Sequence, residues 1–123
     1  MISVLITSES HYQFERAKIR QAIIRLLKNE KLNEVEVSLA VVGSRKMKQL
    51  NQQYRQVDEV TDVLSFSLEE ARGPNGQLRL GDIVLCYPVA REQARIENKM
   101  VVDKMMELVE HGLKHLLGEH HDE

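Results

Sequence analysis

Four of the five histidines of this chain fall in its last thirteen residues, H-G-L-K-H-L-L-G-E-H-H-D-E, at positions 111, 115, 120 and 121. His111 and His115 stand four residues apart, a spacing that puts their Cβ atoms about 5–6 Å from each other on one face of a helix. Two imidazoles so placed can share one metal ion at about 2.0–2.1 Å. Gly118 is read as the point where that helix stops, so that the chain can turn and bring His121 back as a third ligand, with His120 as the competing candidate. Three nitrogen ligands leave a fourth position for water, whose pKa zinc can lower to about 7, and the chemistry expected is metal-assisted hydrolysis. The stretch holds no cysteine, so a closed thiolate site is excluded. A lone His-x-x-x-His pair near a helix end can instead complement the helix dipole; a third histidine beyond a glycine favours the metal. Gly112 stands where an H-E-x-x-H protease carries its glutamate base, which counts against a peptidase.

The elements that must position these residues follow from the hydrophobic periodicity. A helix expected over about 100–117 carries Val102, Met105, Val109, Leu113 and Leu116 on one stripe. At about 100° per residue, His111 and His115 lie within about 40° of each other on the other side, where Lys104 and Glu107 also fall. Upstream, residues 2–7 read as a strand and 9–30 as a helix, with Ile19, Ala22, Ile23, Leu26 and Leu27 at helical spacing. In 34–42, Val35, Val37, Leu39 and Val41 alternate with Glu36, Ser38 and Ala40, a strand with one buried face. Ser44 is placed as the N-cap of a helix over 45–55. Strands near 62–67 and 80–86 flank Gly73-Pro74-Asn75-Gly76, a turn signal that implies an antiparallel hairpin with a long, mobile loop. Pro88 fits the first turn of a helix to about 97, interrupted at Asn98-Lys99. The order β-α-β-α-β-β-α-α predicts an α+β fold, a small mixed four-stranded sheet packed with about four helices.

The totals bound the class. At 123 residues with 42% hydrophobic content, the chain suits a single domain over 1–123 with one core. Cys86 is the one cysteine, which excludes an internal disulfide and fits a reducing compartment; at the end of an apolar strand it is read as a buried hydrophobe. Met47, Met100, Met105 and Met106 are read as core filler. No basic leader and no run of about 18 apolar residues is present, so a cytoplasmic setting without membrane contact is expected. Residues 1–57 hold ten Lys/Arg against five Asp/Glu, and residues 58–123 seven against fourteen. Such a split could guide a polyanion to one side of the molecule, or be two solvated helix faces.

Three motifs in order resemble the YbeY family of bacterial rRNA maturation endoribonucleases. The family's H-G-x-L-H-L-x-G-Y-D-H is met at His111, Gly112, His115, Leu116, Gly118 and His121. Its N-x-x-Y-R-x-x-D-x-x-T-D-V-L-S-F is met at Asn51, Tyr54, Arg55, Asp58 and Thr61 to Phe66. Its L-G-D-I-V-I appears as Leu80 to Leu85. The chain departs from the pattern at Lys114, Glu119 and His120, and at Val60 and Ser67, which are often proline. The resemblance implies a zinc-dependent endoribonuclease that cleaves single-stranded RNA in small-subunit rRNA 3′-end maturation and ribosome quality control. It implies His111, His115 and His121 as metal ligands and Arg55 as an active-site residue; a guanidinium can clamp a phosphodiester through two hydrogen bonds. Its partners would be rRNA and the ribosome or small-subunit proteins. Two other readings are a non-catalytic ribosome-assembly factor with a structural metal, and a metal hydrolase of a non-RNA substrate. Thr61, Asp62 and Asp82 are read either as cleft residues that orient ligands or as turn and strand-end chemistry.

Overall fold

The computed structural model describes residues 1–9, 11–67 and 76–121, the last three as backbone only. The elements are β1 (Ile2–Ser8), α1 (Arg16–Asn29), β2 (Val35–Val42), α2 (Ser44–Arg55), β3 (Val63–Ser67), β4 (Leu78–Cys86), α3 (Tyr87–Glu97) and α4 (Val101–His121), in the expected order. The sheet runs β1-β2-β4-β3. β1, β2 and β4 are parallel, while β3 pairs antiparallel with β4 at one edge. The sheet is therefore mixed, as the sequence predicts. The hairpin's turn residues 73–75 lie outside the described residues. Among the described residues, no helix is long and apolar enough to cross a membrane.

Strand alternation assigns each residue a face. Val35, Val37, Leu39 and Val41 of β2, with Ile83 and Leu85 of β4, are buried against α1 and α4 in the main core. Each such side chain, fully buried, stabilises the fold by roughly 1.5–3 kcal/mol. Val42, Leu64, Val84 and Cys86 point the other way and form a smaller cluster around Met47 of α2. Cys86 is buried, as expected, and burial pushes its thiol pKa up, so it stays a neutral apolar filler. One irregularity interrupts the β2–β4 ladder: the register steps from Glu36–Arg79 to Val37–Gly81, and Leu80 between them turns fully into the core. Gly81 takes φ +146°, and a Cβ there would lie 2.1 Å from the Phe66 carbonyl oxygen. Only glycine fits this bulge.

Four expectations change. Residues 9 and 11–15 are not helical: the Glu9 N–H donates to the Val41 carbonyl at 3.0 Å, and the Tyr12 ring packs 4.7 Å from that of Tyr87. These tertiary contacts hold the segment out of the helix, which begins at Arg16. Ser44 is the first helical residue of α2, and Gly43 is its cap, with the Gly43 N–H donating to the Glu9 carboxylate. Met47 and Met105 are core residues, but Met100 is 65% exposed at the α3–α4 elbow. Gly118 does not end α4, whose backbone remains helical to His121. A helical glycine costs about 1 kcal/mol relative to alanine, and the buried Leu116 and Leu117 hold the preceding turn in place.

The charge split also resolves differently from a single basic side. α1 packs on the main-core face of the sheet and α2 on the opposite one. The basic residues of the first half are thereby divided between two faces.

Candidate active site

α4 reaches the sheet at Gly112. A Cβ on that residue would lie 3.2 Å from Ile83 Cγ2 and 3.5 Å from Val63 Cγ2, so the absence of a side chain lets the helix approach β3 and β4 closely. The residue that removes the protease base thus has a packing role. One residue before it and three after it, His111 and His115 emerge exposed at the sheet edge. Val102, Met105, Val109, Leu113 and Leu116 are buried, so the two imidazoles stand off the core stripe as the periodicity required.

On β3 the alternation places Val63 and Ser65 toward α4. Ser65 Oγ lies 2.7 Å from His115 Nδ1. In the tautomer where Nδ1–H donates to Oγ, Nε2 of His115 is an acceptor. Periodicity alone would have flagged Ser65, a hydroxyl beneath α4 in an otherwise apolar run, had the helix been known to cross there.

Leu64 and Phe66 point to the α2 side, and the strand edge between the two helices opens into a cleft of about 460 Å³. Tyr54, Arg55, Ser65, Phe66, His111 and His115 all line it. Arg55 is positioned by Asn51, whose Oδ1 accepts a hydrogen bond from the guanidinium at 3.2 Å. The same Asn51 is buried and donates from Nδ2 to the Glu59 carbonyl at 2.9 Å. It ties the end of α2 to the loop that leads into β3.

A second hollow of about 350 Å³ adjoins His111 and is lined also by Asp62, Glu107 and Glu110. Asp62 caps the start of β3, accepting from the Val63 N–H at 2.7 Å, and reaches Gln93 of α3 at 3.3 Å. Asp62 is thus a strand-end residue that borders the hollow beside His111. Asp82 instead lies on the α2 face of β4, where its carboxylate accepts the Ser38 hydroxyl. It sits across the sheet from the histidines and does not join the cleft.

One turn before His111, Glu107 belongs to an ion network that braces the α3–α4 elbow. Lys104, only 6% exposed, donates to Glu97 at 2.9 Å and to Glu107 at 3.2 Å, and Lys99 donates to Glu107 at 2.6 Å. The bonds from Lys104 and Lys99 hold the Glu97 carboxyl below its usual range, and those from Lys99 and Lys104 do the same for Glu107. The carboxylates in turn raise the ammonium groups above theirs.

Two imidazoles one helical turn apart, one with its second nitrogen engaged, suit a borderline-soft divalent ion such as zinc. Among the described residues no group of three His, Cys, Asp or Glu side chains is gathered for a metal. The side chains of His120 and His121 lie outside the described residues. A larger groove of about 480 Å³ between α1 and α4 is lined by Ile19, Ile23, Leu26, Val109 and Leu113 among others, and among the described residues no histidine lines it. Arg55, Ser65, His111 and His115 meet instead at the β3 edge.

Residues 5–123 match the family model described as Endoribonuclease YbeY. The chain belongs to the YbeY family. An Endoribonuclease YbeY of Chromobacterium violaceum is 36% identical over 107 residues, covering 87% of this chain and 63% of that protein. One from Moorella thermoacetica is 43% identical over 96 residues, covering 72% and 62%. The chain thus spans less than two thirds of either YbeY relative. The solution structure of a Thermotoga maritima protein superposes with a TM-score of 0.66 at 30% identity, covering 92% of this chain and 71% of that one. The α+β architecture is common to both.

Proposed function

We propose that this chain is a metal-dependent endoribonuclease that cuts single-stranded RNA in small-subunit rRNA 3′-end maturation and ribosome quality control. The observation that carries the reading is the convergence of Arg55, His111 and His115 on one cleft, together with membership of a family named for endoribonuclease activity. His111 and His115, with His121, would hold a zinc ion. When bound, such an ion supplies Lewis acidity and lowers the pKa of a coordinated water. With Nδ1–H donating to Ser65, the His115 ring would be oriented and its Nε2 would be the nitrogen offered to the ion. Arg55, held from behind by Asn51, supplies a guanidinium that binds the phosphodiester and offsets charge developing on its oxygens. Gly112 allows the close helix–sheet approach that brings these groups to one edge.

The test is cleavage of a labelled single-stranded RNA by a nuclease-free preparation, with and without zinc. The expected result is zinc-dependent cutting that His115→Ala abolishes. Undiminished cutting by His115→Ala, or ribosome association without any cutting, would overturn the reading in favour of contamination or of a non-catalytic assembly factor.

A further inference from the structure

The cleft contains one feature that the hydrolytic chemistry does not use. Tyr54, at the end of α2, is 56% exposed although it is aromatic and sits beside a charged site. One side of its ring is braced by Phe66, at a centroid distance of 5.0 Å and an interplanar angle of 54°. Both rings line the same cleft as Arg55, His111 and His115. Leaving this much of a ring in water is unfavourable unless something covers it, and the neighbouring Arg55 selects for an anionic occupant.

α2 leads to this spot with one sign of charge. It carries Arg45, Lys46, Lys48 and Arg55 and no acidic residue. Arg45 and Lys46 are exposed, and Lys48 is paired only at 3.9 Å with the exposed Asp58. An aromatic ring at the end of a row of cations is the arrangement that binds single-stranded nucleic acid: cations track phosphates while the ring stacks a base.

We infer that Tyr54, backed by Phe66, is a stacking platform for an unpaired nucleobase next to the phosphate held by Arg55, with Lys48 and Arg45, which share the Arg55 stripe of the helix, following the strand along α2. This subsite rests on the RNA-cutting reading above and supplies its selectivity. A base inside a duplex is stacked on both faces and has none to offer a protein ring. An unpaired base has. Preference for single strands then arises at Tyr54, apart from the reacting groups.

The experiment measures binding of the full chain to a single-stranded oligoribonucleotide carrying one 2-aminopurine, without added zinc so that the strand stays intact. Anisotropy gives affinity and the 2-aminopurine signal gives stacking. Tyr54→Ala is expected to weaken binding about tenfold and to abolish the stacking signal, while Tyr54→Phe and Tyr54→Trp keep both. Equal affinity and signal in Tyr54→Ala and the unaltered chain would overturn the platform while leaving the nuclease reading standing. No binding of the strand by the unaltered chain would overturn the RNA reading itself.

Discussion

Replacing Ser65 by alanine tests the proposed metal site through a residue that is not itself one of the proposed ligands. The perturbation removes one oxygen, 2.7 Å from His115 Nδ1. Because the bond is at the exposed rim of the cleft, its net contribution to folding is about 0.5–1 kcal/mol. Thermal stability should therefore fall by only about 2–5 °C. The effect on metal affinity should be larger. Without Oγ the His115 ring loses a hydrogen bond that orients it, and loss of such a partner weakens metal binding by about 10- to 100-fold. That corresponds to roughly 1.4–2.8 kcal/mol. Zinc affinity would be measured by competition with a fluorescent chelator at neutral pH, and the tautomer by 15N shifts of the imidazole. Ser65→Thr, which keeps the hydroxyl, should restore most of the loss. In the Ser65→Ala/His115→Ala pair the penalties should not add, since Ser65 acts through His115. Zinc affinity unchanged within twofold in Ser65→Ala, or fully additive penalties in the pair, would refute the reasoning.

Further outcomes follow from Arg55, Gly81 and Lys104. Arg55→Ala should slow cutting of single-stranded RNA by about 10²–10³-fold with zinc affinity unaltered, and Arg55→Lys should recover only part of it because an ammonium lacks the two-pronged donor; an unchanged rate removes Arg55 from the site. Gly81→Ala should cost about 2–4 kcal/mol in urea unfolding from the clash with the Phe66 carbonyl and the positive φ, and a cost near zero would show that the bulge can rearrange. Lys104→Gln should lower stability most near neutral pH. The Glu97 and Glu107 carboxyls titrate below their ordinary value of about 4.3, so their contribution is complete above that value and is lost as pH falls through the lowered one. The Lys99 and Lys104 ammonium groups titrate above about 10.4, so theirs is complete below it and lost as pH rises through the raised one. Melting curves across pH should show the gap between Lys104→Gln and the unaltered chain closing at both ends, and a gap of constant width would contradict the network.

The order of elements and the two outward histidines were legible because both depend on local periodicity: alternation in Val35 to Val41 and a 3.6-residue stripe in α4. The position of α1's start was not, since Glu9 and Tyr12 are fixed by Val41, Gly43 and Tyr87, partners far away in sequence. Gly118 misled for a related reason. A glycine marks a helix end only when the residues around it have nothing to gain by staying helical, and Leu116 and Leu117 are buried by doing so. The motif residues Asn51 and Gly112 could be noticed as letters, but their roles in pinning Arg55 and admitting the sheet needed the strand order β1-β2-β4-β3. The same order separates Asp82 from the cleft, which no spacing could show.

The unbroken backbone of α4 through His121 has a consequence for how an ion would be captured. At 1.5 Å rise per residue, six residues place His121 about 9 Å beyond His115 along the axis, and ten place it about 15 Å beyond His111. Coordination bonds of about 2 Å cannot gather all three from such a rod. For His121 to join the other two, the turn around Gly118 must uncoil. Helix ends fray at a free energy near zero, so the cost would be small: His111 and His115 would hold an ion from the intact helix, and His121 would join them only from an uncoiled turn. Ion binding that recruits His121 would then be visible in far-ultraviolet circular dichroism as a loss of helix.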